Sequence, residues 1–571
     1  MAKIKVKHAF SKQSFYGFHG VGSNEILSGE GASSMCNFRI REDGALVSRE
    51  GYRQRISLPK APVRGIWEGI LAGSSLCFAV ASDTVYRIDL TKTTATACGT
   101  LSKGETPVSF VPYGDTLCLL DGKALRVYEN GRFIPVEAYA PLYGKMWDPI
   151  AKGDVNEPIN LLTPRIRIHY YNTIGSTVFH LPFAADTVDS VRVAGNETTD
   201  YGFAVGNNYV TIPSAGERVD VDIACTVSLN EAARTHMIAA QAALAVTIGT
   251  VGERMLLSGG NGDRCVYCST PVDAASLADA RLDYPNTCNL YFKESDVLFI
   301  GGSDDPVSAF CTHHGGVLAF NRSRVWFLWE EKDGSIDSIL ALKGLGAAHP
   351  NAVTRIEQDL VLADKTGVYL LDAPVSHPEA LSARRISPSV SKSFPAQLGE
   401  RASVFYHRAA KELWLFDPTD TAGVVWVRSV GGEEWYCFRS IFAKAIIDTL
   451  DGVTFATENA LCTFSAALGT DNGQPILCEY QSNYLDFGVP ETPRRSLRVC
   501  VCADLGDAVG TLELVSDAGT RTLRLCGSVG DAPDGFDKRI ALRRHRFLRY
   551  TFRVTSEHPV SLLKVSFFTN V

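Results

Sequence analysis

The chain repeats a short pattern of apolar and polar positions without repeating a sequence. Four or five apolar residues lead into a turn of Gly, Asp, Asn or Ser, and a second apolar run follows, ending in an aromatic or branched residue. The copies are Leu76–Val80 and Val85–Ile88 around Ser82-Asp-Thr; Thr116–Leu120 and Leu125–Tyr128 around Asp121-Gly-Lys; Gly316–Phe320 and Val325–Leu328 around Asn321-Arg-Ser-Arg; and Asp359–Ala363 and Val368–Leu371 around Asp364-Lys-Thr-Gly. Apolar runs bounded by turn residues predict β-hairpins. A drifting hairpin carried along several hundred residues predicts the blades of a β-propeller. A propeller is a platform, so the repeat alone names no activity.

The pattern changes twice along the chain. Residues 139–165, with Pro141, Pro149, Pro158 and Pro164, form an excursion. Strict alternation then appears in Ile166–Tyr171, Thr177–Leu181, Ser190–Val193, Tyr209–Ile212 and Arg218–Ile223. It predicts a small β-sandwich inserted between blades. A helix is expected from Asn230, as its cap, through the alanine run to about Ala245, with blade strands resuming at Val251. Alternating runs at Leu497–Cys502, Gly510–Val515 and Leu548–Val554 predict a C-terminal β-sandwich. The expected fold is mainly β: a propeller of about seven blades with an inserted and a C-terminal sandwich. The expected divisions are 1–62 (N-terminal arm and first strands), 63–138 (propeller, first part), 139–230 (inserted sandwich), 231–250 (connecting helix), 251–470 (propeller, second part) and 471–571 (C-terminal sandwich). Within the arm, Ser11–Gly31 is polar and glycine-rich and is expected to be loosely ordered unless a neighbour covers it. Asn37–Tyr52 reads as strand, Asp43-Gly44 turn, strand and glycine turn.

Composition narrows the partners. At 571 residues the chain exceeds one ordinary domain, and 45% hydrophobic with 21% charged residues predicts no long disordered stretch. A net charge of −7 argues against gripping nucleic acid over the whole surface. The charge is uneven: Arg494–Val571 carries thirteen Lys/Arg against eight Asp/Glu, or +5, which leaves −12 for the rest. Arg543, Arg544, Arg546, Arg549 and Arg553 concentrate there. They read as a solvated or subunit-facing strand edge rather than a phosphate site, because only Phe547, Tyr550 and Phe552 interleave with them. The opening Met-Ala-Lys-Ile-Lys-Val-Lys-His has charge but no apolar core, so no secretory signal is expected. No apolar run is long enough to predict a membrane-spanning segment. The fifteen cysteines are scattered, and Cys77, Cys118, Cys225, Cys462, Cys478 and Cys526 lie in apolar strands. They are expected to act as small hydrophobes rather than as a disulfide framework.

Candidate chemistry is sparse. Cys265-Val-Tyr-Cys268 has the spacing of half a zinc site, but Cys288, Cys311, His313 and His314 follow at no zinc-ribbon or zinc-finger spacing, and a mid-strand position favours core packing. His313 and His314 are neighbours, which a regular strand would point to opposite faces, so a turn or interface role is expected. Asp304-Asp305, Glu330-Glu331, Asp417 with Asp420, and Glu433-Glu434 fit turn chemistry; a propeller glycosidase would need two carboxylates converging on a central pocket. Gly259-Gly-Asn-Gly262 lacks a following helix and reads as a turn, not a phosphate loop. Trp326, Trp329, Trp414, Trp426 and Trp435 are expected in blade cores, with a sugar-stacking platform as the alternative. No residue is assigned as catalytic, cofactor-binding or metal-ligating, no cofactor is expected, and the chain reads as a non-enzyme.

The order of parts resembles a known family. Asn37-Phe38, Asp43-Gly44 and Arg49-Glu-Gly51-Tyr52 resemble the opening of tailed-phage tail proteins. Glu157-Pro-Ile-Asn-Leu-Leu-Thr-Pro164 before an inserted sandwich looks like a segment of the same prophage proteins. Val307-Ser-Ala-Phe310, Leu318-Ala-Phe320, Val325-Trp-Phe-Leu328 and Gly367-Val-Tyr369 are similar to their blades. Tyr484-Leu-Asp-Phe-Gly488 before the basic Arg494-Arg-Ser-Leu-Arg498 resembles their C-terminal sandwich. The family comprises virion structural proteins of tailed phages and prophages, including β-propeller tail-nozzle and DNA-stabilisation proteins. The resemblance implies a non-catalytic subunit of a tail or neck-tail assembly, self-associated into a ring around or near the DNA channel. It implies other virion proteins as partners, transient contact with passing DNA, assembly in the host cytoplasm and residence in the virion. Two alternatives remain: a tail-tip propeller that binds a receptor or carbohydrate on the host, and a propeller glycoside hydrolase.

Overall fold

The structure is a computed structural model, and it describes residues 8–13, 32–41, 44–148, 153–173, 175–213, 219–249, 252–272, 289–302, 305–357, 359–387, 400–432, 435–449, 451–485, 493, 496–526, 534–540 and 545–570. Of the stretch expected to be loose, Ser11–Gln13 belongs to the strand His8–Gln13, covered by the C-terminal strand Ser561–Asn570, while 14–31 lie outside these residues, as do Asp43, Cys288, Asp304, Glu433, Glu434, Arg494, Arg543 and Arg544.

The chain is mainly β. Among the described residues, seven antiparallel four-stranded units account for most of it. Blade 1 comprises Val63–Leu71, Ser74–Ala81, Thr84–Asp89 and Thr94–Thr100; blade 2 comprises Ser109–Tyr113, Thr116–Leu120, Leu125–Glu129 and Arg132–Pro135. Blade 3 comprises Ala242–Thr247, Glu253–Ser258, Cys265–Ser269 and Phe292–Phe299, and blade 4 Ala309–His313, Gly316–Phe320, Arg324–Glu330 and Ile336–Lys343. Blade 5 follows with Val353–Ile356, Asp359–Asp364, Gly367–Asp372 and Ser382–Arg385, then blade 6 with Ser403–His407, Glu412–Phe416, Val425–Ser429 and Trp435–Phe438. Blade 7 has Ala445–Thr449, Gly452–Ala456 and Ala460–Ser465. The first strands neighbour one another in order, and Ala445–Thr449 returns to Val63–Leu71, which closes the ring. The hairpins that recur in the sequence are the two middle strands of blades 1, 2, 4 and 5. Their turns use the expected chemistry: the Asp121 carboxylate accepts the Lys123 and Ala124 backbone N–H groups at 2.9 and 2.7 Å, and Asp364 accepts that of Thr366 at 2.8 Å.

The fourth strand of blade 7 comes from the other end of the chain. Gly51–Ser57 pairs antiparallel with Ala460–Ser465. Gly51 is required there, since a Cβ would sit 2.1 Å from the Thr470 carbonyl oxygen. The expected boundary at residue 62 is therefore corrected: 51–57 belong to the propeller. The strand before it does more. Ala32–Cys36 pairs antiparallel with Gln474–Ser482 and, through Cys36 and Cys437, parallel with the outer strand of blade 6. Gln474–Ser482 continues to Leu548–Ser556, Val509–Ser516 and Gly519–Cys526. Blade 6 and one face of the C-terminal sandwich are thus a single hydrogen-bonded sheet with Ala32–Cys36 as the seam.

The opposing sandwich sheet also mixes both ends of the chain. Ser561–Asn570 pairs with Ser496–Asp504 on one side and with His8–Gln13 and Leu46–Ser48 on the other. One apolar core runs through the junction, with Phe38, Tyr480, Leu512, Tyr550, Phe552 and Phe567 of the sandwich beside Trp414 and Phe455 of the blades. The inserted domain holds a six-stranded sheet between Leu142 and Thr226 and a two-stranded one, Val178–His180 with Tyr209–Thr211, around Ile168, Phe179, Val210 and Ile223. Asn160 anchors its base, donating to the Tyr139 and Leu290 carbonyls at 2.7 and 2.8 Å.

The expected helix is shorter. It spans Glu231–Ile238, and Asn230, in a left-handed conformation, makes no side-chain cap hydrogen bond. Ala242–Thr247 is instead the first strand of blade 3, in register with Glu253–Ser258. Helix propensity is a small term per residue, and a full ladder of strand pairing outweighs it. The propeller accordingly resumes at Ala242, not Val251. No helix among the described residues is long and apolar enough to cross a membrane.

Candidate functional site

The buried charges of this fold join its parts. Arg49 is almost wholly buried, and its guanidinium donates to the Asn37 side chain (3.0 Å), the Glu50 and Arg439 carbonyls (2.9 and 2.8 Å) and the Asp471 carboxylate (2.9 Å). Asn37 in turn accepts the Arg439 N–H (2.8 Å) and donates to the Leu477 carbonyl (2.8 Å). This node ties the N-terminal segment to the end of blade 6 and to the first sandwich strand. Between blades, Arg254 of blade 3 reaches Glu330 (3.1 Å) and the Gly334 carbonyl (2.8 Å) of blade 4. Arg64 of blade 1 lies 3.7 Å from Asp121 of blade 2.

A cleft of 620 Å³ opens between the Phe38–Ser48 hairpin and blade 6 and is lined by Arg39, Arg41, Glu50, Lys411, Glu412 and Tyr436. Its central carboxylate is already engaged. Arg39 donates to both Glu412 oxygens (2.8 and 3.1 Å) and pairs with Glu50 (2.6 Å), while Trp414 and Tyr436 donate to Glu412 at 2.9 and 3.0 Å. Burial pushes the Glu412 carboxyl up, but the Arg39 charge and these hydrogen bonds outweigh it and hold it at about 2. A carboxylate so held carries no proton to donate near neutral pH, so the cleft reads as an ionic clamp.

A second concavity, 480 Å³, lies where blade 4 meets blade 5. Phe327 and Trp329 form its wall with Ile339, and His314, Pro378 and Glu379 border it. The Phe327 and Trp329 rings are near parallel, with centroids 6.0 Å apart. The indole N–H of Trp329 donates to Glu331 at 2.9 Å, which fixes the ring. Gly316, opposite this wall, leaves room for the Phe327 ring, which a Cβ would meet at 2.6 Å.

The third surface is the outward face of the welded sheet. Register places Arg549, Arg553 and Arg524 on it, because Val515 opposes Arg549 and Thr511 opposes both Arg553 and Arg524. Arg553 is neutralised by Glu479 (2.6 Å) and Glu513 (3.0 Å). The Arg549 guanidinium lies over the Tyr484 ring, 5.1 Å from its centroid, and Tyr484 and Phe547 are both well exposed. Tyr550 and Phe552 are fully buried, so the interleaving of Arg and aromatic residues here is the alternation of a one-sided strand.

Other residues singled out in the sequence fall as follows. Cys265 and Cys268 are buried in different inter-blade cores, and burial first of all pushes their thiols up to about 11 and 12. No group of three or more His, Cys, Asp or Glu suited to a metal ion occurs among the described residues. His313 and His314 sit at a turn, as expected, and their rings come together at 4.2 Å, which a regular strand would not allow. The strand ends at His313, and the left-handed φ of 42° at His314 turns its ring back. Trp414, Trp426 and Trp435 are buried in blade cores, whereas Trp326 and Trp329 are half-exposed. Asp417 and Asp420 accept backbone N–H groups of their own turns, at 2.8 Å from Thr419 and 3.0 Å from Ala422. Gly260 packs the Gly259–Gly262 turn so closely on the helix that a Cβ would lie 1.8 Å from the His236 carbonyl oxygen. Cys526 is exposed, contrary to expectation, because Leu523 and Leu525 take the inward positions of its strand. The groove at Trp329 and the Arg49 node had no sequence signal beyond single residues, since each assembles segments far apart in the chain.

No protein-family model matches the chain, and no curated protein matches it. Among solved structures it is similar to TmCBM61, solved in complex with beta-1,4-galactotriose: 12% identity, 22% of this chain and 81% of that one, TM-score 0.15. It is also similar to the extracellular domain assigned to a one-component system, BT4673, from B. thetaiotaomicron: 8% identity, 90% of this chain, TM-score 0.27. The chain spans 62% of that domain's length. At these scores neither likeness bears on what the chain does.

Proposed function

We propose that the chain is a structural subunit of a phage tail or neck-tail assembly, acting as part of an oligomeric ring near the DNA channel. The observation that carries this reading is the weld: N-terminal strands close the propeller and fuse it to the C-terminal sandwich in one sheet. Load applied to either module passes through backbone hydrogen bonds and a shared core rather than through a flexible linker. The buried charges serve the same end, since Arg49, Arg39 and Arg254 each bridge separate parts of the fold. The architecture of propeller, insert and terminal sandwich accords with the family resemblance in the sequence. A net acidic body suits a wall past which DNA slides, because like charge prevents tight phosphate contacts.

The test is quantitative proteomics of gradient-purified tailed particles from the strain that carries the sequence. The expected result is this chain in the particles at a copy number comparable to other tail components. Its absence from intact particles would refute the reading.

A further inference from the structure

We infer that the blade 4–5 groove of one copy receives the aromatic-basic knob of the next copy, giving a head-to-tail interface. This rests on the ring-subunit reading and assigns the surfaces by which the ring closes. The groove is apolar inside and acidic at its rim. Trp329, Phe327 and Ile339 supply the wall, and Ile339 remains 44% exposed. Glu379 borders it, Glu331 holds the Trp329 indole, and Asp337 sits opposite Trp329 in the strand register. Among the described residues no Lys or Arg is paired with any of these three carboxylates; the partner of Glu379 is His377, at 3.4 Å.

The knob has the opposite character. Tyr484 is 52% and Phe547 39% exposed. An antiparallel bridge between Leu485 and Leu548 brings the two segments side by side, and Arg549 stacks on Tyr484. Arg546 is exposed beside them and makes no ion pair among the described residues. Large apolar side chains exposed together on one sheet mark a contact surface. Knob and groove are both open within a single chain, so neither satisfies the other intramolecularly.

Charge complementarity selects a second copy as the occupant. Residues 494–571 sum to +5, whereas residues 309–379, which run from the first strand of blade 4 to the last residue lining the groove, contain nine Asp/Glu and six Lys/Arg, or −3. Two different patches that fit each other make a heterologous contact, which closes into a ring when the rotation allows. Complementary charge at the rim sets register and speeds encounter, while the buried aromatics supply the affinity.

The test is analytical ultracentrifugation of the full chain and three preparations: Glu331→Lys/Glu379→Lys, Arg546→Glu/Arg549→Glu, and their equimolar mixture. The wild type should sediment as a discrete oligomer, and its dissociation constant should rise at least tenfold from 0.1 to 1 M salt. Each variant alone should be monomeric, because its knob and groove now carry like charge. The mixture should recover oligomers, because the unaltered knob of one variant meets the unaltered groove of the other and their two reversed surfaces complement each other in the same way, and that recovery also shows that both are folded. Oligomers that persist in both variants, or a mixture of folded variants that stays monomeric, would overturn this interface and leave the ring reading standing. A wild type that stays monomeric at high concentration would overturn the ring reading itself. A Trp329→Ser variant gives a charge-neutral check: weakened association with an unchanged melting temperature is expected, and unchanged association counts against the groove.

Discussion

Arg49 offers the sharpest perturbation of the weld. Its side chain is about 1% exposed and that of Asp471 about 9%, so their pairing is hidden from solvent. Arg49→Met keeps most of the length and apolar stem but removes every hydrogen bond to Asn37, Glu50, Arg439 and Asp471. The Asp471 carboxylate then remains buried without its cation. Breaking a buried pair from one side costs about 3–5 kcal/mol, most of it the penalty of the stranded charge. Replacing both partners, as Arg49→Met/Asp471→Leu, removes that penalty and should recover part of the loss, roughly 1–3 kcal/mol. Urea unfolding followed in parallel by tryptophan fluorescence and far-ultraviolet circular dichroism reads both effects. In the wild type the two signals should change together, because Trp414 and Trp435 lie in the blade fused to the sandwich. In Arg49→Met the midpoint should fall and the two signals should separate. A loss below about 1 kcal/mol, or a double variant no better than the single one, would refute the view that this node holds the modules together.

Further outcomes follow from the same geometry. Glu412 has its folded pKa depressed to about 2, so the stability it contributes is complete above its unfolded value near 4.5 and is lost as pH falls through 2. That window corresponds to roughly 3 kcal/mol, and Glu412→Gln should flatten the acid limb of a pH-stability profile between those values. His313 is held neutral, with its pKa lowered to about 4 by burial and by His314, so protonation opposes folding. Its contribution is complete above about 6.5 and declines toward pH 4, and His313→Asn should reduce the slope of stability with pH in that range. Gly51→Ala places a methyl group against the Thr470 backbone and should destabilise ring closure by about 2 kcal/mol or more, seen as a lower melting temperature with faster proteolysis of the N-terminal segment. Cys526 is exposed and should react with a disulfide reagent in the native protein, whereas Cys268 and Cys478 should react only on unfolding.

The blades legible in the sequence were those with a local signal. In blades 1, 2, 4 and 5 the central hairpin is apolar and its turn carries Ser, Asp or Asn, so a window of about fourteen residues contains the whole message. Blade 7 could not be read that way, because its outer strand, Gly51–Ser57, lies some four hundred residues from the strand it pairs with. The seam strand Ala32–Cys36 carries too short an alternation to declare two partners. The alanine run at 239–245 misled for the opposite reason: its local preference is real, but strand pairing with Glu253–Ser258 decides. His313 and His314 show how one left-handed residue undoes a rule that holds for regular strands. The groove at Trp329 was visible only as a tryptophan that core packing also explained, since its other walls come from the blade 5 loop at Pro378 and Glu379.

The most direct measurement is the native mass of the purified full-length chain. A single discrete multiple of the 62.0 kDa subunit, stable at micromolar concentration and weakened by salt, is the predicted result. A clean monomer under the same conditions, above all one that binds a glycan, would contradict the account.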